Sequence, residues 1–328
     1  CGLSCTHKNA EGASTIGKDG KCTVCGSACP HNAGATETDG VWACDVCGQT
    51  VTAMVTAPDG AITYYADGYV NNNEKSGLYF AIKAAKTGST VAALGGGKAA
   101  GGYVKDGKSL TLDMSNGKTI DGILYVGEND TGNKLIVRGS TEISYVIVDP
   151  DNTLDLTGWT GRIGFLTVRN GGKATLNGGT FATLNPGGEA GSLLASGYAF
   201  QNANTGAYVE YSSTANMENV KVVKCPHGGK NGFDNNSTTC PYCNAPAVAE
   251  TALNDGEGNR LQRKFADLQT ALDADRVGGA EFKLLTDVTG DYTINGTQDT
   301  GLDLNGHSIK GTVTVKGIKG DYITTTLS

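Results

Sequence analysis

The chain has 328 residues, length enough for two or more domains, and its 49 glycines without a collagen period ask for many tight turns between short strands. Only 18% of residues are charged, the net charge is −7 and no Lys/Arg run occurs, which argues against a nucleic-acid partner. No stretch approaches the roughly 20 apolar residues of a membrane span, so no membrane insertion is expected of this segment.

The first elements in chain order are built on cysteine and histidine. Cys5-Thr-His7 is followed by Cys22-Thr-Val-Cys25, and Cys29-Pro-His31 by Cys44-Asp-Val-Cys47; far downstream Cys225-Pro-His227 is followed by Cys240-Pro-Tyr-Cys243. Nine of the 10 cysteines and three of the 4 histidines fall into this one pattern. A Cys-x-x-Cys turn aims two thiolates at one point, and a Cys-x-His on an extended segment adds a sulfur and a nitrogen on one side. Three sulfurs and one nitrogen close a tetrahedral zinc site with no open position, the mark of a structural ion. Gly26, Gly48 and Asn244 follow the second cysteine of each turn and suit a left-handed backbone. Disulfides are the alternative in an exported domain, but they give no reason for a recurrent histidine two residues after a cysteine. Three structural zinc ions are therefore expected, in a module over 1–27, a second over 28–50 and a third over 225–245. Cys1 parallels Cys25 and reads as the last ligand of an upstream module, so the segment is expected to be a piece of a longer repetitive protein.

Residues 51–224 read as a β-domain entered through an amphipathic helix, Leu78-Tyr-Phe-Ala81-Ile-Lys-Ala-Ala85. Short runs rich in Val, Ile and Thr follow, bounded by Gly, Asn and Asp: Ile123–Val126, Lys134–Arg138, Tyr145–Asp149, Phe165–Arg169 and Ala174–Asn177. With no helices between them they suit a solenoid of parallel coils, a sandwich being the alternative. After the third zinc module, 246–328 repeats the order. A helix comes first, Phe265-Ala-Asp-Leu268-Gln-Thr-Ala271-Leu272, and then Leu302-Asp303-Leu-Asn305-Gly306, matching Leu112-Asp113-Met-Ser-Asn116-Gly117. Asp113 and Asp303 are expected at coil corners, where such side chains bond nearby backbone. The second copy is expected to be truncated.

The segment Leu78–Val91, with its helix followed by Gly88-Ser-Thr90-Val91, resembles the N-terminal cap of right-handed β-helix proteins of the pectate-lyase-like class, and Phe265–Ala274 looks like a second such cap. This resemblance implies a mainly β fold: right-handed parallel β-helix domains with short capping helices, punctuated by zinc knuckles. Joined to the zinc modules, the chain resembles large repetitive exported proteins of Firmicutes from gut and oral communities. Some surface proteins of that kind bind host immunoglobulin.

No catalytic residue can be carried over from the pectate-lyase-like enzymes, whose calcium-binding carboxylates and arginine base find no match. The acidic cluster Asp149-Pro-Asp151-Asn-Thr-Leu-Asp155 lacks the glycine hinge and closing glutamate of a calcium loop, so it is expected to be a solvated turn. Arg162, Arg169 and His307 are expected on the surface. Gly95-Gly96-Gly97-Lys98 lacks the frame of a phosphate loop. The leading expectation is a non-enzymatic binding or adhesion region, an adhesin of a secreted or cell-surface bacterial protein. It would be monomeric as a fragment, with a host protein (immunoglobulin among the candidates) or a glycan as ligand. A β-helix polysaccharide lyase or glycosidase and a passive spacer are the rivals. The aromatic segments Ile62-Thr-Tyr-Tyr65 and Tyr198-Ala-Phe200…Tyr208-Val-Glu-Tyr211 are candidates for anchoring a partner or for packing between coils.

Overall fold

A computed structural model of the chain describes residues 11, 15, 22, 23, 29, 31, 32, 34–187, 193–227, 232–254, 257, 259–274, 281–296, 300–317 and 325–327. Half of the chain is strand and 5% helix, wound as a β-solenoid of about 10 turns. It divides into two compact units, Cys1–Ala195 with Gln201–Ala207 and Ser212–Val222, and Ser196–Phe200 with Tyr208–Tyr211 and Val223–Ser328. No helix among the described residues is long and apolar enough to cross a membrane.

In the first unit two parallel sheets alternate along the chain. One stacks Thr90–Ala93, Ser109–Met114, Lys134–Gly139, Thr153–Asp155 and Lys173–Thr175; the other stacks Thr119–Val126, Glu142–Val148, Arg162–Val168 and Thr180–Asn185. The register explains why these sequences coil. Like residues sit above like: Leu110 on Leu135 on Leu154, and Ile120 on Ile143 on Ile163 on Phe181, every one of them buried. Alternate positions point inward, so each strand buries one row and leaves one row to solvent.

The corners are held by polar side chains. Asn133 and Asn152 occupy the same corner of successive coils, and both are buried. Asn152 Oδ1 accepts from the Asn133 amide N–H and from Asn133 Nδ2, each at 2.9 Å, while Asn152 Nδ2 donates to Asp130 O at 2.7 Å and Pro150 O at 2.8 Å. The Lys108 amide N–H donates in turn to Asn133 Oδ1 at 2.9 Å, so one asparagine ladder crosses three coils. Asp113 accepts from the Ser115 amide and Asp303 from the Asn305 amide, closing the coil corners expected of them. Asn116 and Asn305 then donate to the carbonyls of Ala93 and Leu284 in the preceding coil.

Both ends of this unit depart from the parallel pattern. The hairpin Val51–Thr56 with Ile62–Ala66 joins Thr90–Ala93 antiparallel, and helix α1, Gly77–Ala84, packs Leu78, Ala81 and Ile82 into the first coil. Gly77 must be glycine, because a Cβ there would lie 2.2 Å from Tyr65 O. At the far end residues 217–221 pair antiparallel with Thr180–Asn185.

The second unit repeats the opening. The hairpin Ala249–Asn254 with Arg260–Phe265 precedes helix α2, Leu268–Leu272, and then the parallel pairs Glu281–Leu284 with Thr300–Asp303, Val288–Thr289 with Ile309–Lys310, and Tyr292–Gly296 with Val313–Gly317. Phe265, Leu268, Phe282, Leu284, Ile294 and Leu302 form its core.

Candidate metal centres

Among the described residues, two of the three expected Cys/His sets converge. Cys29, His31, Cys44 and Cys47 bring their ligand atoms within 4.8 Å of one another, as do Cys225, His227, Cys240 and Cys243. Each is a set of three sulfurs and one nitrogen positioned to hold a metal ion. The four described residues of each set make no disulfide: Cys29 Sγ lies 3.8 Å from Cys44 Sγ, and Cys225 Sγ 3.7 Å from Cys240 Sγ, far beyond the roughly 2 Å of a sulfur–sulfur bond. Of the first expected set, Cys5, His7 and Cys25 lie outside the described residues, as does Cys1. Cys22 is described and buried, its Sγ 3.2 Å from Thr15 Oγ1.

The first centre is assembled by a hairpin. Ala35–Thr38 and Val41–Cys44 pair around Asp39 and Gly40, which both take positive φ, 52° and 78°. That pairing sets Ala35 opposite Cys44 and so returns the chain to Cys29. After it the knuckle closes: the Gly48 amide donates to Cys44 O at 2.7 Å and the Cys44 amide to Gln49 O. The second centre repeats the turn, Asn244 amide to Cys240 O at 2.8 Å and Cys240 amide to Ala245 O. Gly48 and Asn244 are left-handed, at φ 71° and 58°, as expected. The Cys-x-His segments differ from expectation. His31 and His227 are themselves left-handed, at φ 48° and 50°, so an extended segment is replaced by a tight turn that swings each imidazole toward the knuckle. His31 presents Nε2, 3.5 Å from Cys47 Sγ, and His227 presents Nδ1, 3.4 Å from Cys243 Sγ.

Neither centre is a free-standing bead. Cys44 and Cys47 are buried against Val51 and Leu94, with Trp42, Met54 and Tyr64 packed around them, and the Tyr64 amide donates to His31 O at 2.9 Å. Cys225 and Cys240 are buried with Ala199 and Phe233, flanked by Tyr208 and Tyr242. Sequence patterns identified the two converging Cys/His sets but not these packing partners, whose apolar side chains look like any other strand or turn residue. Without metal, burial pushes the Cys29 thiol up and the Cys47 thiol up to about 12. At the other centre hydrogen bonds from the His227 ring to Cys240 and Cys243 raise His227 to about 10. Cys225 and Cys243 hold the Cys240 thiol far below its ordinary value, while Cys225 keeps its proton.

The remaining sequence candidates resolve otherwise. The acidic cluster is no solvated turn at its start: Asp149 is buried, pairs with Arg169 at 2.7 Å and accepts from the Asn129 amide. Asp155 caps the Thr157 amide, and among the described residues these carboxylates form no group of three that could hold an ion. Arg162 pairs with Glu142 at the surface, and His307 stands 3.7 Å from Asp287 in a turn. Its counterpart Lys118 is buried, its Nζ donating to Leu94 O at 3.1 Å. Lys98 of the glycine run pairs with Asp121. The proposed aromatic anchors mostly pack inward: Phe200 is buried and stacks on Tyr211, Tyr208 meets Tyr242, and Tyr64 covers the first centre. Among the described residues the exposed aromatics are Tyr69, Tyr103, Tyr145 and Phe165. Strand alternation sends the last three outward, a parity the sequence carried but that needs the exact register to read. No protein-family model, no curated protein and no solved structure matches the chain.

Proposed function

We propose that both centres hold zinc as closed structural ions, and that the chain is a non-enzymatic binding region of a secreted or cell-surface bacterial protein. One observation carries the metal. Sulfurs about 2.3 Å and a nitrogen about 2.0 Å from a tetrahedral zinc stand about 3.8 Å apart as a sulfur pair and about 3.5 Å as a sulfur–nitrogen pair. The sulfur pairs here are 3.8 and 3.7 Å apart, and the sulfur–nitrogen pairs 3.5 and 3.4 Å. All four corners are protein atoms, which leaves no position for water or substrate.

The ion takes the place of the core that segments of this size cannot build, and its binding free energy becomes folding free energy. Several carboxylates and arginines that a polysaccharide-cleaving rival would need are engaged in ion pairs or turn bonds, as for Asp113, Asp149, Asp155, Arg162 and Arg169. That supports a scaffold over an enzyme. Export and a host protein or glycan as partner rest on the sequence likeness, with immunoglobulin as the first host protein to try. Metal analysis of purified protein tests the reading: two zinc per chain are expected from these centres, and a third if Cys5, His7, Cys22 and Cys25 close as their spacing expects. Zinc below two per chain with oxidised cysteines overturns the metal. Glycan cleavage that is lost with Asp149→Asn overturns the scaffold.

A further inference from the structure

At the start of the first solenoid a cavity of about 200 Å³ lies between helix α1 and the adjoining coil, lined by Tyr79, Lys83, Tyr103, Lys105, Asp106 and Lys108. Three lysines to one aspartate is an inversion in a chain of net charge −7. The two rings meet edge to face with centroids 6.4 Å apart, Lys105 Nζ stands 5.1 Å over Tyr103, and Lys75 Nζ stands 5.5 Å over Tyr79. Lys108 Nζ is tied to Lys83 O at 2.9 Å, which fixes one ammonium at the wall. Lys105 is paired with Glu128 and Lys108 with Asp106 at 3.6 Å, while the exposed Lys83 ammonium has no ion pair among the described residues.

The cavity does not end in a blank wall. Tyr103 stacks on Tyr125 at 5.4 Å in the next coil, and the neighbouring column of the same outer face carries Ile123, Tyr145 and Phe165, the last two stacked at 4.9 Å. Ile123, Tyr145 and Phe165 are each about 40% exposed, at 40%, 43% and 44%. Strand spacing repeats this apolar row every ~4.8 Å along the solenoid.

We propose that this cavity and the aromatic row beyond it bind an acidic glycan. A sugar carboxylate or sulfate would meet Lys83, Lys105 and Lys108, and the following sugar rings would lie on Tyr125, Tyr145 and Phe165. The chemistry selects this class. Lysines supply compact charges for an anion, tyrosines supply ring surface and hydroxyls for a saccharide, and the cavity has room for one ring. A polyphosphate chain would need cations along the whole row, where the exposed side chains are apolar. The site deepens the glycan part of the binding reading above and lies within one unit.

Titration calorimetry with a hyaluronan hexasaccharide, chitohexaose and a glutamate hexapeptide tests it on zinc-loaded protein. The expected order is hyaluronan bound, with affinity falling as salt rises, and the neutral sugar and the peptide much weaker. Lys83→Glu lies on an exposed helix position, so the fold is kept, and it is expected to weaken hyaluronan binding roughly tenfold or more, the worth of a charge-assisted contact. Glu128→Gln frees Lys105 and is expected to strengthen binding, and Phe165→Ala to weaken the hexasaccharide but not a disaccharide. No hyaluronan binding by the wild type, equal binding of chitohexaose or the peptide, or an unchanged Lys83→Glu affinity overturns the site. Zinc content and glycan cleavage are read separately, so a failed glycan titration sinks the pocket without touching the scaffold.

Discussion

At the residue scale the metal centres show how far a pattern of side-chain types can lead. The Cys-x-His and Cys-x-x-Cys spacing picked out two sets of side chains that the fold brings together, and Gly48 and Asn244 could be assigned a left-handed backbone on steric grounds. The left-handed histidines could not, since a φ near 50° at His31 and His227 is set by the knuckle each ring must reach. The titration of these groups separates the metal-free from the metal-loaded protein. Without metal, Cys47 rises from 9.0 to about 12 and His227 from 6.5 to about 10. A raised value in the fold stabilises below the unfolded value and is lost as pH rises through the folded one. His227 alone would give loss from 6.5, but the lowered Cys240 thiol offsets it up to 9.0, so chelated protein should lose stability as pH climbs from about 9 toward 12. Loaded protein should lose it in the opposite direction, since zinc needs three thiolates and a neutral imidazole and protons compete for them on acidification. Thermal melts at a series of pH values should show chelator lowering stability near neutral pH and the two curves converging on acidification; curves that coincide throughout would show that no metal is held. His31→Ala should lower the zinc content by one per chain and leave the Cys225–Cys243 centre loaded. The asparagine ladder is a second residue-scale device. Asn152→Ala orphans the buried Asn133 amide and removes bonds to two part-buried carbonyls, and should cost about 1–3 kcal/mol in denaturant unfolding.

At the element scale the two capping helices are short, and neither would persist alone in water. Each is held by an aspartate at its N-terminus and an apolar face beneath. For α2 the aspartate is local: Asp267 accepts from the Thr270 amide at 2.7 Å, a cap readable in Asp-Leu-Gln-Thr. For α1 the local residue Ser76 makes no cap. Its hydroxyl bonds across to Ala100, and the helix N-terminus is met by Asp67, whose Oδ1 accepts from the Gly77 amide at 2.7 Å and from Thr52 Oγ1 at 2.5 Å. That partner is ten residues away, so no local motif announces it. The apolar periodicity of Leu78, Ala81 and Ile82 was legible and the cap was not. Asp67→Ala and Asp267→Ala should each cost about 1 kcal/mol. Leu78→Ala, which empties a fully buried site under α1, should cost about 2–5 kcal/mol, read as a shift in unfolding midpoint at constant slope.

At the scale of the whole molecule the coils were legible because each strand repeats one demand. A buried Ile, Leu or Val must stand over its like, as Ile120, Ile143 and Ile163 do, and the turn residues between them mark the corners. The sequence did not show where the metal knuckle ends and the solenoid begins. Spacing treats Cys29–Cys47 as a separate module, yet Cys44 and Cys47 share one apolar cluster with Val51 and Leu94, and Leu94 lies just past the first coil strand. Removing the metal should therefore not release a bead and spare the rest. Buried thiols lose their shared ion, the bond from Tyr64 to His31 O loses its anchor, and the hairpin Val51–Thr56 with Ile62–Ala66 loosens with the knuckle. The inner coils around Leu135, Leu154, Ile143 and Ile163 rest on their own stacked registers and keep theirs. Hydrogen exchange before and after chelation tests this directly. Protection should fall over 29–66 and persist over 134–168, with recovery when zinc is restored. Loss confined to 29–48, with an unchanged hairpin at 51–66, would mean that the shared cluster holds without its ion and that the knuckle is an appendage after all.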